Sequence, residues 1–206
     1  MSGRFITLEG GEGVGKSTQA RRLAEALRAD GREVVSTREP GGSPGAEAIR
    51  ALLLEGDGDR WSARAEAALF AAARADHIEK TIRPAVERGG WVVCDRFVDS
   101  SRAYQGIAGG LGDELILGLH ESCSAGFLPD RTLVLDLPDR EAAARATERD
   151  AGLSDRIGGR DERFHRSVTE AFRRFAAQEP ARIRLIDASG SEEQVTDRLL
   201  ATLADL

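Results

Sequence analysis

Five short apolar runs punctuate the chain: Phe5 to Glu9, Glu33 to Thr37, Trp91 to Asp95, Thr132 to Leu137 and Ile183 to Asp187. They are rich in Val, Ile and Leu and show little polar–apolar alternation, as expected of parallel strands covered on both faces. Between them the apolar positions fall at helical spacing. The spacing predicts helices over Lys16 to Ala29, Ala46 to Leu54, a long alanine-rich Ala63 to Val86, Asp113 to Cys123, Arg140 to Arg149, Arg163 to Gln178 and Glu192 to Leu203. Gly31 and Glu55-Gly56 stop two of them, and Ser191 is placed to cap the last. Strands alternating with helices predict a doubly wound α/β fold: a five-stranded parallel sheet flanked by helices. No repeat, low-complexity tail or long linker divides the chain, so residues 1–206 are expected to form a single domain.

Composition narrows the setting. The net charge of −6, with 41% hydrophobic and 31% charged residues, is ordinary for a soluble globular protein and argues against a nucleic-acid partner. No stretch approaches the roughly 18 consecutive apolar residues of a membrane span. The N-terminus shows no basic region followed by an apolar core, so no secretory signal is expected. Cys94 and Cys123 have no metal-ligand spacing around them and read as reduced thiols, which points to a cytoplasmic location. Only two lysines occur, Lys16 and Lys80, and there is no asparagine.

One of those lysines stands in Gly10-Gly11-Glu12-Gly13-Val14-Gly15-Lys16-Ser17-Thr18, directly after the first predicted strand and before the first predicted helix. The stretch fits the phosphate-loop pattern G-x-x-x-x-G-K-[ST]. Its glycines let backbone N–H groups face one point, and the following helix turns its positive end to that point. Lys16 can then reach the terminal phosphates of a bound nucleotide, and the Ser17 hydroxyl can ligate Mg²⁺. A phosphate loop alone names no reaction. A GTP switch reads guanine with Asn-Lys-x-Asp, which a chain without asparagine cannot carry. A motor ATPase carries a distant apolar strand ending in Asp. Leu133 to Asp136 partly fits that pattern, and it also reads as a plain core strand running into Leu137-Pro138. The length favours a small kinase.

Three further features carry chemistry on their own residues. Arg38 follows the second strand and precedes Pro40-Gly41-Gly42, at the strand end where doubly wound folds bind ligands. Phe70 and Arg74 lie four apart on one helix face, a ring and a guanidinium suited to a planar base, although periodicity alone reads them as a core ring beside a solvated arginine. Asp95-Arg96 closes the third strand. Its carboxylate can hold Mg²⁺ directly or through water, and its guanidinium can bridge two phosphates.

Taken in order, GGEGVGKST, TREPGG (Thr37 to Gly42), LFAAARADH (Leu69 to His77), DRFVDSSRAYQG (Asp95 to Gly106) and Asp155-Arg156-Ile157 resemble the bacterial thymidylate kinases, over nearly the whole chain. The resemblance implies transfer of a phosphoryl group from ATP, with Mg²⁺, to dTMP, giving dTDP on the way to dTTP for DNA replication. It also implies a P-loop fold with a short lid at about residues 148–162, and a homodimer built through the alanine-rich and neighbouring helices. Carried over to this chain, it has Arg38 contact the acceptor phosphate, Phe70 stack on thymine and Arg74 reach the base O4. In the loop after Asp95-Arg96, Ser101 faces the ring edge, Tyr104 crowds the sugar C2′ against a ribose hydroxyl, and Gln105 supports the base pocket. Glu12 accepts from the sugar 3′-hydroxyl. The family's Asp-Arg is followed by an aromatic residue or histidine, here Phe97, which lacks a tyrosine hydroxyl.

The phosphate loop contains no arginine, and members of the family with such a loop supply one from the lid. Arg149 and Arg156 are the expected catalytic arginines beside Lys16 and Arg96, with Arg160 as a further candidate; the glycines of Ala151-Gly152-Leu153 and Ile157-Gly158-Gly159 would act as hinges. His77, His120 and His165 show no partner spacing and read as structural or surface residues. The rival reading is a deoxynucleoside kinase or another nucleoside monophosphate kinase. A nucleoside acceptor needs a base for its neutral 5′-hydroxyl, and Glu9 stands where one could serve.

Overall fold

The computed structural model describes residues 3–56, 60–150 and 157–206, without the side chains of residues 139 and 146–150. The strands are β1 (Arg4–Glu9), β2 (Val34–Arg38), β3 (Trp91–Asp95), β4 (Arg131–Asp136) and β5 (Ile183–Asp187). They form one parallel sheet in the order β2-β3-β1-β4-β5. The helices are α1 (Lys16–Ala29), α2 (Pro44–Leu54), α3 (Ala63–His77), α4 (Arg83–Glu87), α5 (Val98–Ser101), α6 (Asp113–Ser124), α7 (Asp139–Asp150), α8 (Glu162–Gln178) and α9 (Glu192–Ala201). This is the expected doubly wound architecture, with strand ends within one residue of the sequence reading.

Alternate residues of each strand enter opposite layers. Ile6 and Leu8 of β1, Val93 of β3 and Leu133 and Leu135 of β4 pack with Leu23 and Leu27 of α1 and Val195 and Leu199 of α9. On the other face Phe5, Val92 and Cys94 pack with Phe97, Ile78 and Ile82, while Val134 and Ile183 meet Val168, Phe172 and Phe175 of α8. Burying each such side chain contributes about 1.5–3 kcal/mol, which fixes the sheet as the frame on which the loops are hung.

Register then aligns the chemistry. Leu8 pairs with Asp95 and Asp95 with Arg38, so the end of β1, the Asp-Arg pair and Arg38 share one edge of the sheet. Serine side chains cap the starts of three helices: Ser43 before Pro44 starts α2, Ser62 starts α3, and Ser191 with Gln194 forms a capping box on α9.

Two expectations are corrected. The single helix predicted over Ala63 to Val86 is α3, a π-helical turn over Ile78–Ile82, and α4. Pro84 has no N–H to give the carbonyl four residues back, and the wider turn absorbs the break. The stretch after Asp95-Arg96, expected as a loop, is α5 continued by a π-helical segment over Arg102–Ala108. Val98, Asp99, Ser101 to Gly106 are all buried, so no polar face produces a readable stripe. Asp99 anchors this segment. It accepts from Arg102 at 2.9 Å, Arg182 at 2.6 Å and Thr132 at 3.0 Å. Burial alone would raise its pKa, but Arg182 and Arg102 hold it below the usual carboxylate range.

His120 of α6 is structural, as expected. It is buried, bonds the Phe127 carbonyl through Nε2 at 2.9 Å, and packs edge-on to Phe97. Its Nδ1 has no hydrogen-bond partner among the described residues. Burial, then the Arg74 charge, pushes its pKa from 6.5 down to about 4. A depressed histidine contributes stability that is whole above the unfolded value and is lost as pH falls, because the unfolded chain protonates first. Between pH 7 and 4.5, urea unfolding is expected to show wild type losing about 2–3 kcal/mol more than His120→Gln. Parallel losses in the two proteins would contradict this.

Candidate active site

The sharp turn from β1 into α1 is possible because Gly10, Gly13 and Gly15 adopt φ of 134°, 74° and 89°. A Cβ on Gly10 would lie 2.6 Å from the Leu135 carbonyl oxygen of β4, so the loop can lie against the sheet only with glycine there. Gly15 caps α1 without a side-chain hydrogen bond, and no acid stands in the first turn. The first amides of α1 and its positive end are therefore left to an anionic ligand. Lys16 is buried and bonds the Gly11 carbonyl, curling its ammonium over the loop. Burial, then the Arg96 charge, pushes its pKa from 10.5 down to about 8, against the pull of Glu12, Asp95 and Glu9.

Arg96 is the hub. Its φ of 70° is left-handed and non-glycine, which costs about 1–3 kcal/mol and holds only because its surroundings fix it. Its N–H donates to the Leu8 carbonyl at 2.9 Å, and the Cys94 thiol donates to its carbonyl at 3.0 Å. The guanidinium then reaches Glu12 of the phosphate loop at 2.5 Å, Ser100 at 3.2 Å and the Gly10 carbonyl at 3.4 Å. Burial opposes its charge, but Tyr104, Glu12, Asp95 and Glu9 outweigh it. The Tyr104 hydroxyl donates to Glu12 at 3.1 Å, and the Arg96 guanidinium sits 5.0 Å from the Tyr104 ring. Phe97 points away into the core, edge-on to Phe5 at 4.8 Å.

Ser17 donates to Asp95 Oδ2 at 2.5 Å, while the buried Asp95 Oδ1 has no partner among the described residues. Adjacent hydroxyl and carboxylate oxygens with one lone pair unclaimed suit a hard cation such as Mg²⁺. No group of three or more His, Cys, Asp or Glu able to hold a metal occurs among the described residues, so phosphate oxygens and water would have to complete its shell.

A cleft of about 770 Å³ runs from the phosphate loop across the sheet edge, and Arg38, Phe70, Arg74, Asp95, Arg96, Ser101, Tyr104 and Gln105 all line it. Glu12 to Thr18 line it too, whereas Gly10 and Gly11 are not among its lining residues. Phe70 is 9% exposed and Arg74 3%, so this pair is not the solvated arginine of the plain helical reading. Arg74 donates to Glu39 and Ser101, and Gln105 donates to Glu66 at 2.9 Å. Arg38 is half exposed and paired with Glu47 at 3.1 Å. Arg160 bonds both oxygens of the same Glu66, at 3.0 and 3.1 Å. The Arg149 side chain and all of Arg156 lie outside the described residues.

The sequence reading missed five contributors. Glu39 and Glu66 are buried acids that hold cleft residues. The only sequence signal for Glu39 was its place between Arg38 and Pro40. The far end of the cleft is lined by Arg145 of α7 and by Ala188 and Gly190 after β5. In sequence, Ser191 there reads only as a helix cap. Among the described residues no helix is long and apolar enough to cross a membrane.

Known proteins resemble this chain in sequence and fold. A family model described as thymidylate kinase matches residues 8–199. A thymidylate kinase of Rhizorhabdus wittichii is 69% identical over 206 residues, covering 100% of this chain and 99% of that protein. One from Bradyrhizobium sp. (strain ORS 278) is 49% identical over 196 residues, covering 95% and 87%. The crystal structure of thymidylate kinase from Ehrlichia chaffeensis superimposes with a TM-score of 0.78 at 30% identity, covering 98% of this chain and 100% of that one. By sequence over nearly its full length and by fold, this chain belongs to the thymidylate kinase family.

Proposed function

We propose that the protein transfers the γ-phosphoryl group of ATP to the phosphate of dTMP, releasing dTDP and ADP. One observation carries this reading: a single cleft holds the phosphate loop at one end and a ring, a buried arginine and a tyrosine at the other, with Arg96 between them. ATP lies with its phosphates on Gly10 to Thr18 and its base toward Arg145, Ala188 and Gly190. The acceptor lies with its phosphate near Arg38 and Arg96, its sugar against Tyr104 and Glu12, and its base between Phe70, Arg74, Ser101 and Gln105. Ser17 and Asp95 are the residues that would hold Mg²⁺, which would supply charge neutralisation to the donor phosphates. The attacking phosphate oxygen is already anionic, so no general base is required. Lys16 and Arg96, with Arg149 and Arg156 from a lid at about residues 148–162, stabilise charge on the transferred group and exclude water. We further propose a cytoplasmic homodimer that associates through α3 and its neighbours.

A thymidine acceptor would need a base at its 5′-hydroxyl. Glu9 is fully buried and both its oxygens are taken, by the Phe97 N–H at 2.7 Å and the Ser100 hydroxyl at 2.5 Å. That geometry favours the monophosphate. Coupled ADP release with dTMP, dUMP, ribothymidine monophosphate, dAMP, dGMP, dCMP and thymidine tests the choice. Turnover is expected to be highest with dTMP, weaker with dUMP, and at least about tenfold lower with the ribose analogue, which meets Tyr104. Turnover with thymidine but not dTMP would refute the phosphate roles of Arg38 and Arg96.

A further inference from the structure

We propose that Glu39 is the positioning residue that aims Arg74 and thereby sets which acceptor base is accepted; this rests on the reading that Arg74 faces that base. Glu39 belongs to Thr37-Arg38-Glu39-Pro40-Gly41-Gly42, where phosphate binding explains the arginine and leaves the acid without a role. Its carboxylate is buried at the end of β2. One oxygen accepts from Arg74 Nε at 2.8 Å and the other from His77 Nδ1 at 3.1 Å. His77 Nε2 and the Thr37 hydroxyl are 2.8 Å apart, so the bonds run Thr37, His77, Glu39, Arg74 without a break. Gly42 closes over this chain of bonds: a Cβ there would stand 2.3 Å from His77 Nε2 and 2.4 Å from the Thr37 hydroxyl. Three residues of the six-residue stretch, Thr37, Glu39 and Gly42, thus converge on one buried histidine. The Glu39 main chain is tied as well, its N–H donating to the Asp95 carbonyl at 2.9 Å.

The consequence falls on Arg74. Nε is fixed by Glu39, Nη2 by the Ser101 hydroxyl at 2.9 Å, and the guanidinium lies 5.2 Å from the Phe97 ring. Nη1 has no acceptor among the described residues. It is the donor left for a ligand in the cleft. A guanidinium only donates. Held in one orientation, it accepts a base with a ring carbonyl at that edge, as thymine and uracil have. Against cytosine it would set donor against amino group, leaving buried polar groups unpaired. Without the Glu39 carboxylate the guanidinium keeps its charge but loses its aim, and can turn to other acceptors along the cleft.

The test is kcat and KM for dTMP, dUMP and dCMP, and KM for ATP, in wild type, Glu39→Gln and Thr37→Val. For Glu39→Gln the expected result is a KM for dTMP raised about tenfold or more with kcat within about threefold. KM for ATP should stay unchanged, and the kcat/KM preference for dTMP over dCMP should fall about tenfold. A merely structural role lowers the active fraction, and so kcat for every acceptor, leaving KM and the preference as they were; that pattern overturns the proposal. Thr37→Val removes the far support and keeps the carboxylate. It should move KM and preference in the same direction by about two- to fivefold. If Glu39→Gln does not fold, unchanged values in Thr37→Val overturn the proposal. Wild type with no preference for dTMP over dCMP would refute the base reading itself. A selective wild type with selectivity intact in both variants would refute only the role of Glu39.

Discussion

Replacing Arg96 with alanine is expected to lower kcat by about 10³-fold or more, the scale of losing an arginine that spans the transferred phosphoryl group. The backbone explains why this position is hard to replace. Arg96 is held at φ 70° by the Leu8 carbonyl and the Cys94 thiol, so its side chain leaves the sheet edge toward the phosphate loop rather than along the strand. From there it meets Glu12 and the Gly10 carbonyl on the donor side and lies over Tyr104 on the acceptor side. Lysine carries the same charge but cannot fork between two groups, so Arg96→Lys is expected to recover only a small part of the loss. Single-turnover rates with saturating ATP and dTMP measure this step. A loss below tenfold in Arg96→Ala would show that the arginine braces the loop without meeting the reacting phosphates.

Lys16→Ala is expected to lower kcat by about 10²–10³-fold, the cost of removing one preorganised donor, and to raise KM for ATP as well. The lysine is buried with its ammonium folded onto Gly11, and burial has already lowered its pKa to about 8. Polyphosphate bound on the α1 amides would supply the countercharge that restores full protonation. Lys16→Arg should not rescue, because a planar guanidinium fork does not reproduce the point ammonium that Lys16 folds onto the Gly11 carbonyl. Both constants should be read for ATP and dTMP. A change in KM for dTMP alone would contradict the placement of Lys16 on the donor side.

How much of this was legible depended on what each residue packs against. β1, β3 and β4 were visible because strands covered on both faces are largely apolar, and the partly exposed edge strands β2 and β5 kept enough Val, Ile and Leu to be read with them. The phosphate loop was visible because its backbone demands glycine at fixed spacing. Arg38 was read as following β2 and is in fact its last residue, a shift of one that leaves it at the same sheet edge. The helical turns over residues 98–108 were hidden because their polar residues are buried too, paired through Asp99, Arg102 and Arg182. The acids that hold the site were hidden for another reason. Glu12 meets Arg96 from 84 residues away, Glu66 meets Arg160 from 94, and Glu39 meets Arg74 from 35. Periodicity reports neighbours on one helix or strand and is blind to such pairs. The arginines could be singled out as ligand-binding and Glu12 as a sugar contact, but the pairing of Glu12, Glu39 and Glu66 with those arginines emerged only from the fold.

Identifying the product of one incubation bears most directly on the proposed reaction. The purified protein is mixed with Mg²⁺, γ-labelled ATP and dTMP, and the nucleotides are separated by anion exchange. The label should pass to dTDP in step with ADP formation, with no labelled inorganic phosphate beyond background. ADP accompanied by free labelled phosphate and no dTDP would mean an ATPase in which the cleft beyond Arg96 does not hold an acceptor, and would contradict the assignment.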